Sequence, residues 1–597
     1  MVSGMWARAL FVGALVVLTG CDDVYDLGSS PDGAVDAGLD GGVDAGCVEG
    51  CGHFVAPLAS NGTSALEPLD VLVLAGEDAT DSSWPARVGS ALSGASVERD
   101  VLGPFTDATR GNRGRWTGAV ASASSLELVF AAPLDGEARL VESGVRVAVA
   151  ANELMLDGAV VSTLDAGAWY HVVIVSDGAS ARATVNGASS STATFTLGGT
   201  LEIGDDDVTL AWVAFGRTAL DDSVVRDRFA RLTGVRARES GGDPVPVAME
   251  RGSSAFTDLV QGGVRRLHRV GARWPRLACR PDAPAESLVG ATVCGYFAEG
   301  ATTLVSPSID TWPRTNVSVV AGQSPSDAVP GFAVVSEGVG VHELRVAFGA
   351  EEERVLSFFA RPVDGGALEL DLGSARARFG LDGSAPTTEG TLEAHDEDWG
   401  DGWRRVWLAA DATGLGDVTL RLVRGGATDF AFDGALLHVA GVQLESNRRD
   451  PTSIGPRDAD VLAYATDGNV PSVPVGRLEA SVLVAGWPRL HDGTVVHFAR
   501  ADQVVNLYYS VSAQMTFAAT GDAFVWNLPS DPIRDGRRIP VVASWAPEGL
   551  VLDVRGVSDT RTMEGGVEAA ALFDRFFVGV GGPSGELVGL VSDVSIR

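Results

Sequence analysis

A chain of 597 residues, 45% of them hydrophobic, is long enough for three or more domains, each with its own core. Its formal charge of -33 would repel phosphate backbones, which excludes nucleic acid as a partner and otherwise serves solubility. Its 74 glycines against 6 methionines, with abundant Val and Ala, point to strands and turns and thus to an all-β protein.

Residues Met1 to Cys21 carry Arg8, an apolar run from Ala9 to Leu18, and the tetrad Leu18-Thr19-Gly20-Cys21. The run is too short for a permanent membrane span and fits the core of a signal peptide over 1–20. The tetrad resembles the lipobox of bacterial lipoproteins, which implies cleavage before Cys21 and a lipid on its thiol. No second run of spanning length follows, so that lipid is the membrane anchor the sequence offers. An exported protein held at the cell envelope, on the outer membrane or cell surface, is the implied setting.

Residues 21–56 read as a disordered acidic tether, with Asp32, Asp36, Asp40 and Asp44 recurring among Gly and Ala. Such a segment has little to bury and repels itself, so it extends. With Cys21 acylated, Cys47, Cys51, Cys279 and Cys294 remain; export permits disulfides, and the even count suggests 47 with 51 and 279 with 294. Metal binding by these thiols needs histidine at ligand spacing, and His53 alone does not complete a set.

From residue 57 onward, short apolar runs alternate with Gly, Asp, Asn and Pro, the pattern of tandem antiparallel β-sandwiches. Helical periodicity is confined to Asp221 to Leu232, where Val224, Val225, Arg228, Phe229 and Leu232 share a face. Within 57–238, Ala168 to Val175 leads through Asp177-Gly178 to Ala183-Thr184-Val185 and then Asn186-Gly187, two strong hairpin signals. These residues, with Leu201 to Gly204 and Trp212 to Leu220, resemble laminin-G-like, concanavalin A-like jelly rolls.

In 239–470, Arg273-Trp274-Pro275-Arg276-Leu277, Gly295 to Leu304, Trp312, Ser357 to Ala360, Asp401 to Val406 and Gly441 to Glu445 are similar, in order, to blocks of phage tail-fibre and head-spike-like modules. Thr303 and Ile454-Gly455-Pro456 depart from that pattern. The resemblance implies a carbohydrate-binding type of sandwich. Over 471–597 a further strand set, ending in Gly585 to Arg597, looks like the close of another concanavalin A-like jelly roll.

Glycoside hydrolases of that fold place paired acids on alternate strand positions, because a period of two keeps them on one face. The nearest match, Glu369-Leu370-Asp371, has no further acid in Leu372 to Ala375, so the full signature is absent. A hydrolase or lyase with an unrecognised acid pair is the alternative to a non-catalytic binding protein. The densest acidic cluster, His395 to Asp398 with Asp401, lies beside Trp399 and Trp403; it suits either a solvated loop anchored by a core Trp or a ligand site using Trp399, Trp403, Asp398 and Asp401. Asp205, Asp206 and Asp207 suit either a turn or a Ca²⁺ site, Ca²⁺ being the one cofactor the acids suggest. His171 reads as a packing residue, since the sequence names no acid to partner it. Expected partners are the membrane, through the lipid, and glycans or surface proteins.

Overall fold

The computed structural model describes residues 54–56, 62–80, 83–94, 98–102, 110–119, 123–134, 136–176, 181–192, 200–205, 208–235, 238–239, 247–249, 251–261, 264–281, 292–298, 308–326, 329–348, 354–390, 393–410, 416–446, 462–465, 476–484, 493–500, 503–510, 512–521, 524–533, 537–546, 549–562, 575–578 and 589–596. The signal and residues 21–53 of the tether, with Cys21, Cys47 and Cys51, lie outside them, whereas the tether's expected last residues, Phe54–Ala56, form a strand, because neighbouring strands satisfy their backbone groups. Among the described residues, no helix is long and apolar enough to cross a membrane.

The protein is all-β, and its described residues form three sandwiches built from pairs of mainly antiparallel sheets. Each encloses one core: Leu126, Leu128 and Phe130 meet Leu140, Val147 and Leu154 in the first; Leu356, Phe358 and Val406 meet Leu368, Leu370 and Leu420 in the second; Leu507 and Phe517 meet Leu478, Val541 and Leu552 in the third. Period two in the strands produces this directly, since every second side chain of a strand faces the opposing sheet. The expected hairpin forms between Ala181–Val185 and Ala188–Thr192, with Asn186 and Gly187 at φ 46° and 79°, the left-handed pair that a two-residue turn requires. The expected helix spans Asp222–Leu232 and buries Val225, Phe229 and Leu232, whereas Val224 is exposed.

Several short strands pair away from the sandwich that holds most of their neighbours in sequence. The hairpin Ala255–Gln261 with Val264–Val270 extends the first sandwich instead of the second, running parallel to Ala168–Ser176 at Ala168 and Trp169. Leu277–Pro281 and Thr292–Ala298 join the third, where Thr292–Ala298 pairs with Gly589–Ile596 and Tyr296 enters the core. Val247–Met249 pairs with Leu462–Ala465, also in the third, and so does Phe54–Ala56, which lies between Arg238–Glu239 and Gly589–Ile596. Residues from before, between and after the first two sandwiches therefore complete the last. The physical reason is edge closure: a terminal strand leaves unpaired amides and carbonyls, and the passing chain supplies them with partners.

A seam joins the first two sandwiches. Leu267 and Phe256 of the trailing hairpin pack with Val329, Phe359, Trp399, Trp403 and Ala440 of the second. Arg251 and Arg276 are fully enclosed at the base of this hairpin; Arg251 donates to the carbonyls of Gly271 (2.9 Å) and Trp274 (2.8 Å), and Arg276 to that of Phe256 (3.2 Å).

Candidate functional site

Three groups of charged residues stand out, and each is built by strand register. The first lies beneath the helix. Glu127, in the apolar strand Ser125–Ala131, is completely buried, with Val173 and Ala214 beside it in the neighbouring strands. Its carboxylate accepts from Trp212 Nε1 (2.8 Å) and from Arg228 through Nε (2.8 Å) and Nη2 (2.5 Å), and lies 2.9 Å from His171 Nε2. Burial pushes the carboxyl up, but hydrogen bonds and charge from Arg228 and His171 outweigh it and hold Glu127 at about 2. Arg228 also donates to the carbonyl of Glu67 (2.8 Å), so one guanidinium ties helix, sheet and an upstream loop together.

His171 thus has an acid partner that the sequence did not disclose. The signal was present as a lone Glu in the run Leu126 to Phe130 and an Arg on the buried face of the helix. The pair is nonetheless sealed. His171 is fully enclosed, its ring stacks on Phe229 at 5.6 Å, and its Nδ1 has no hydrogen-bond partner, so no substrate proton can reach it.

The second group occupies the outer face of a six-stranded sheet in the middle sandwich. Glu343, Arg421, Glu369 and Arg378 lie side by side on four adjacent strands, and Arg345, Thr419, Asp371 and Arg376 form the next row. Glu369 and Asp371 share a face, as the alternation requires. All four of their oxygens are occupied: Glu369 Oε1 by Arg421 (3.1 Å) and Oε2 by Arg378 (2.7 Å), Asp371 Oδ1 by Arg376 (2.7 Å) and Oδ2 by Arg421. Glycoside hydrolysis needs one carboxyl free to deliver a proton and another free to attack or activate water. Neither is free here.

The third group is the acidic cluster. It forms an edge strand, Glu393–Gly400, instead of a loop, turned into Trp403–Ala410 by Asp401 and Gly402 at φ 51° and 76°. Trp399 and Trp403 are 3% and 5% exposed and pack into the seam, with Trp399 edge-on to Phe359 at 4.6 Å. Both indoles are thus packed against protein in the seam. Asp398 accepts from the amide of Gly400 (2.8 Å), and Asp401 lies 3.9 Å from Arg266 across the seam. Asp396, bonded to Arg404, is pushed up by burial.

Of the Ca²⁺ candidates, Asp205 lies 3.8 Å from Arg115, while residues 206 and 207 lie outside the described residues. Among the described residues no three His, Cys, Asp or Glu side chains gather as a metal would require. Cys279 and Cys294 sit directly opposite each other in register.

No family model matches the chain, and no curated protein matches it. Solved structures overlap parts of it. Domains LG4-5 of the mouse laminin α1 chain do so at 15% identity and TM-score 0.20, over 43% of this chain and 86% of that one. The botulinum neurotoxin DC binding domain, solved with rat synaptotagmin II, overlaps at 8% identity and TM-score 0.25, over 61% and 98%. Trypanosoma rangeli sialidase overlaps at 12% identity and TM-score 0.18, over 84% and 96%. Overlaps of this size carry no argument about what the chain does.

Proposed function

We propose that the protein is a non-catalytic binding protein of the cell envelope, held by a lipid at Cys21 and presenting its β-sandwiches to carbohydrate or protein ligands. The observation that supports this most is the state of Glu369 and Asp371. The chain's nearest approach to a glycosidase acid pair has every oxygen committed to arginine. The buried Glu127 and His171 are equally closed to a substrate. A second support is mechanical: the seam at Trp399 and Trp403 packs the second sandwich against the trailing hairpin of the first and makes the two one platform. A platform of this kind keeps its faces in fixed relation, which lowers the ordering cost of binding.

The test is retention. The soluble region from Gly52 is passed over immobilised polysaccharides and envelope proteins at physiological salt. Retention on at least one, with the eluted polysaccharide unchanged in length, is the expected result; shortened polysaccharide, or no retention on any, would overturn the reading.

A further inference from the structure

The edge where the chain enters the third sandwich holds a feature that binding does not use. Phe54–Ala56 and Thr292–Ala298 lie end to end along the same edge of the last strand, Gly589–Ile596. The first pairs with residues 594–596 and the second with 589–591, while Gly476–Val484 occupies the opposite edge. The hairpin Leu277–Pro281 with Thr292–Ala298 is closely docked there, since a Cβ on Gly295 would meet the carbonyl oxygen of Val591 at 2.6 Å.

In this hairpin Cys279 opposes Cys294, and Pro281 opposes Thr292, two positions along. Opposed pairs in an antiparallel ladder alternate between hydrogen-bonded and non-hydrogen-bonded types, so pairs two apart are of one type. Proline has no N–H and cannot serve in a hydrogen-bonded pair. The cysteines therefore occupy a non-hydrogen-bonded pair, where Cα atoms approach to about 4.5 Å, within the range of about 4.4–6.8 Å that a disulfide spans.

We infer that Cys279 and Cys294 form a disulfide that clasps this hairpin onto the third sandwich, beside the strand through which the tether enters. The inference rests on strand register alone and stands apart from the binding role. Formation follows thiol–disulfide exchange with an external disulfide. One cysteine thiolate attacks it and releases a thiol, the second attacks the mixed disulfide and releases another, and two protons and two electrons leave the pair.

The experiment uses the full chain equilibrated with glutathione disulfide and digested without reductant. A peptide joining Cys279 to Cys294, two hydrogens lighter than the separate thiol peptides, is expected. Free thiols at both positions, or a bond from either to Cys47 or Cys51, would overturn the inference. Thermal unfolding tests the clasp itself: the Cys279→Ser/Cys294→Ser chain should melt about 5 °C below the oxidised parent and level with the reduced parent. Equal melting of the variant and the oxidised parent would show that the bond clasps nothing.

Discussion

Two carboxylates, Glu127 in the first sandwich and Glu369 in the second, are both buried and gripped by arginine, yet their partners differ in exposure and sharing. Glu127 is sealed under a helix and held by one guanidinium, an indole and an imidazole. Glu369 lies on an outer sheet face, covered by the more exposed Arg421 and Arg378 that hold it, and Arg421 is shared with Asp371 and Glu343. Enclosure makes each bond of the first group hard to replace. Sharing makes each bond of the second group partly redundant. An ion pair thus acts as a lock in one place and as a shared lattice across a sheet in the other.

Substitutions that remove one partner separate the two settings. Glu127→Gln leaves the buried Arg228 without its counter-charge and should cost about 3–5 kcal/mol in the unfolding of the first sandwich, measured by denaturant titration. Lowering the pH should attack the same lock. The folded value of about 2 lies below the ordinary 4.5, so the stability Glu127 contributes is complete above 4.5 and is lost as the pH falls toward 2. Urea titrations across that window should show the loss in the parent and a flatter profile in Glu127→Gln. Glu369→Gln should cost less, about 1–2 kcal/mol, because Arg421 keeps Asp371 and Glu343. Asp417→Asn, which removes a solvent-facing partner of Arg345, should change stability by less than about 1 kcal/mol. An equal cost for Glu127→Gln and Glu369→Gln would erase the contrast.

Much of the fold was legible because strand period and turn chemistry are local. The hairpin at Asn186-Gly187, the helix Asp222–Leu232 and the strand Ala168–Ser176 follow from residues within a few positions of each other. The assignment of strands to sandwiches was not legible, since Phe54–Ala56 finds its partner in Gly589–Ile596, at the far end of the sequence. No local pattern encodes that pairing. The acidic cluster shows the same limit: the sequence places Trp399 and Trp403 beside acids, but the covering residues, Leu267 and Phe359, come from other strands. For the acid pair, alternation places Glu369 and Asp371 on one face. The arginines that disarm them sit on neighbouring strands, at Arg376, Arg378 and Arg421.

The central proposal is that Glu369 and Asp371 tie strands of the middle sandwich together and take part in no reaction. It is tested most directly by assaying reducing-end release from a polysaccharide panel with the parent and with Glu369→Gln/Asp371→Asn side by side. The account predicts no release by either and unchanged retention on whichever polysaccharide binds the parent. Release by the parent that disappears in the double variant would contradict it.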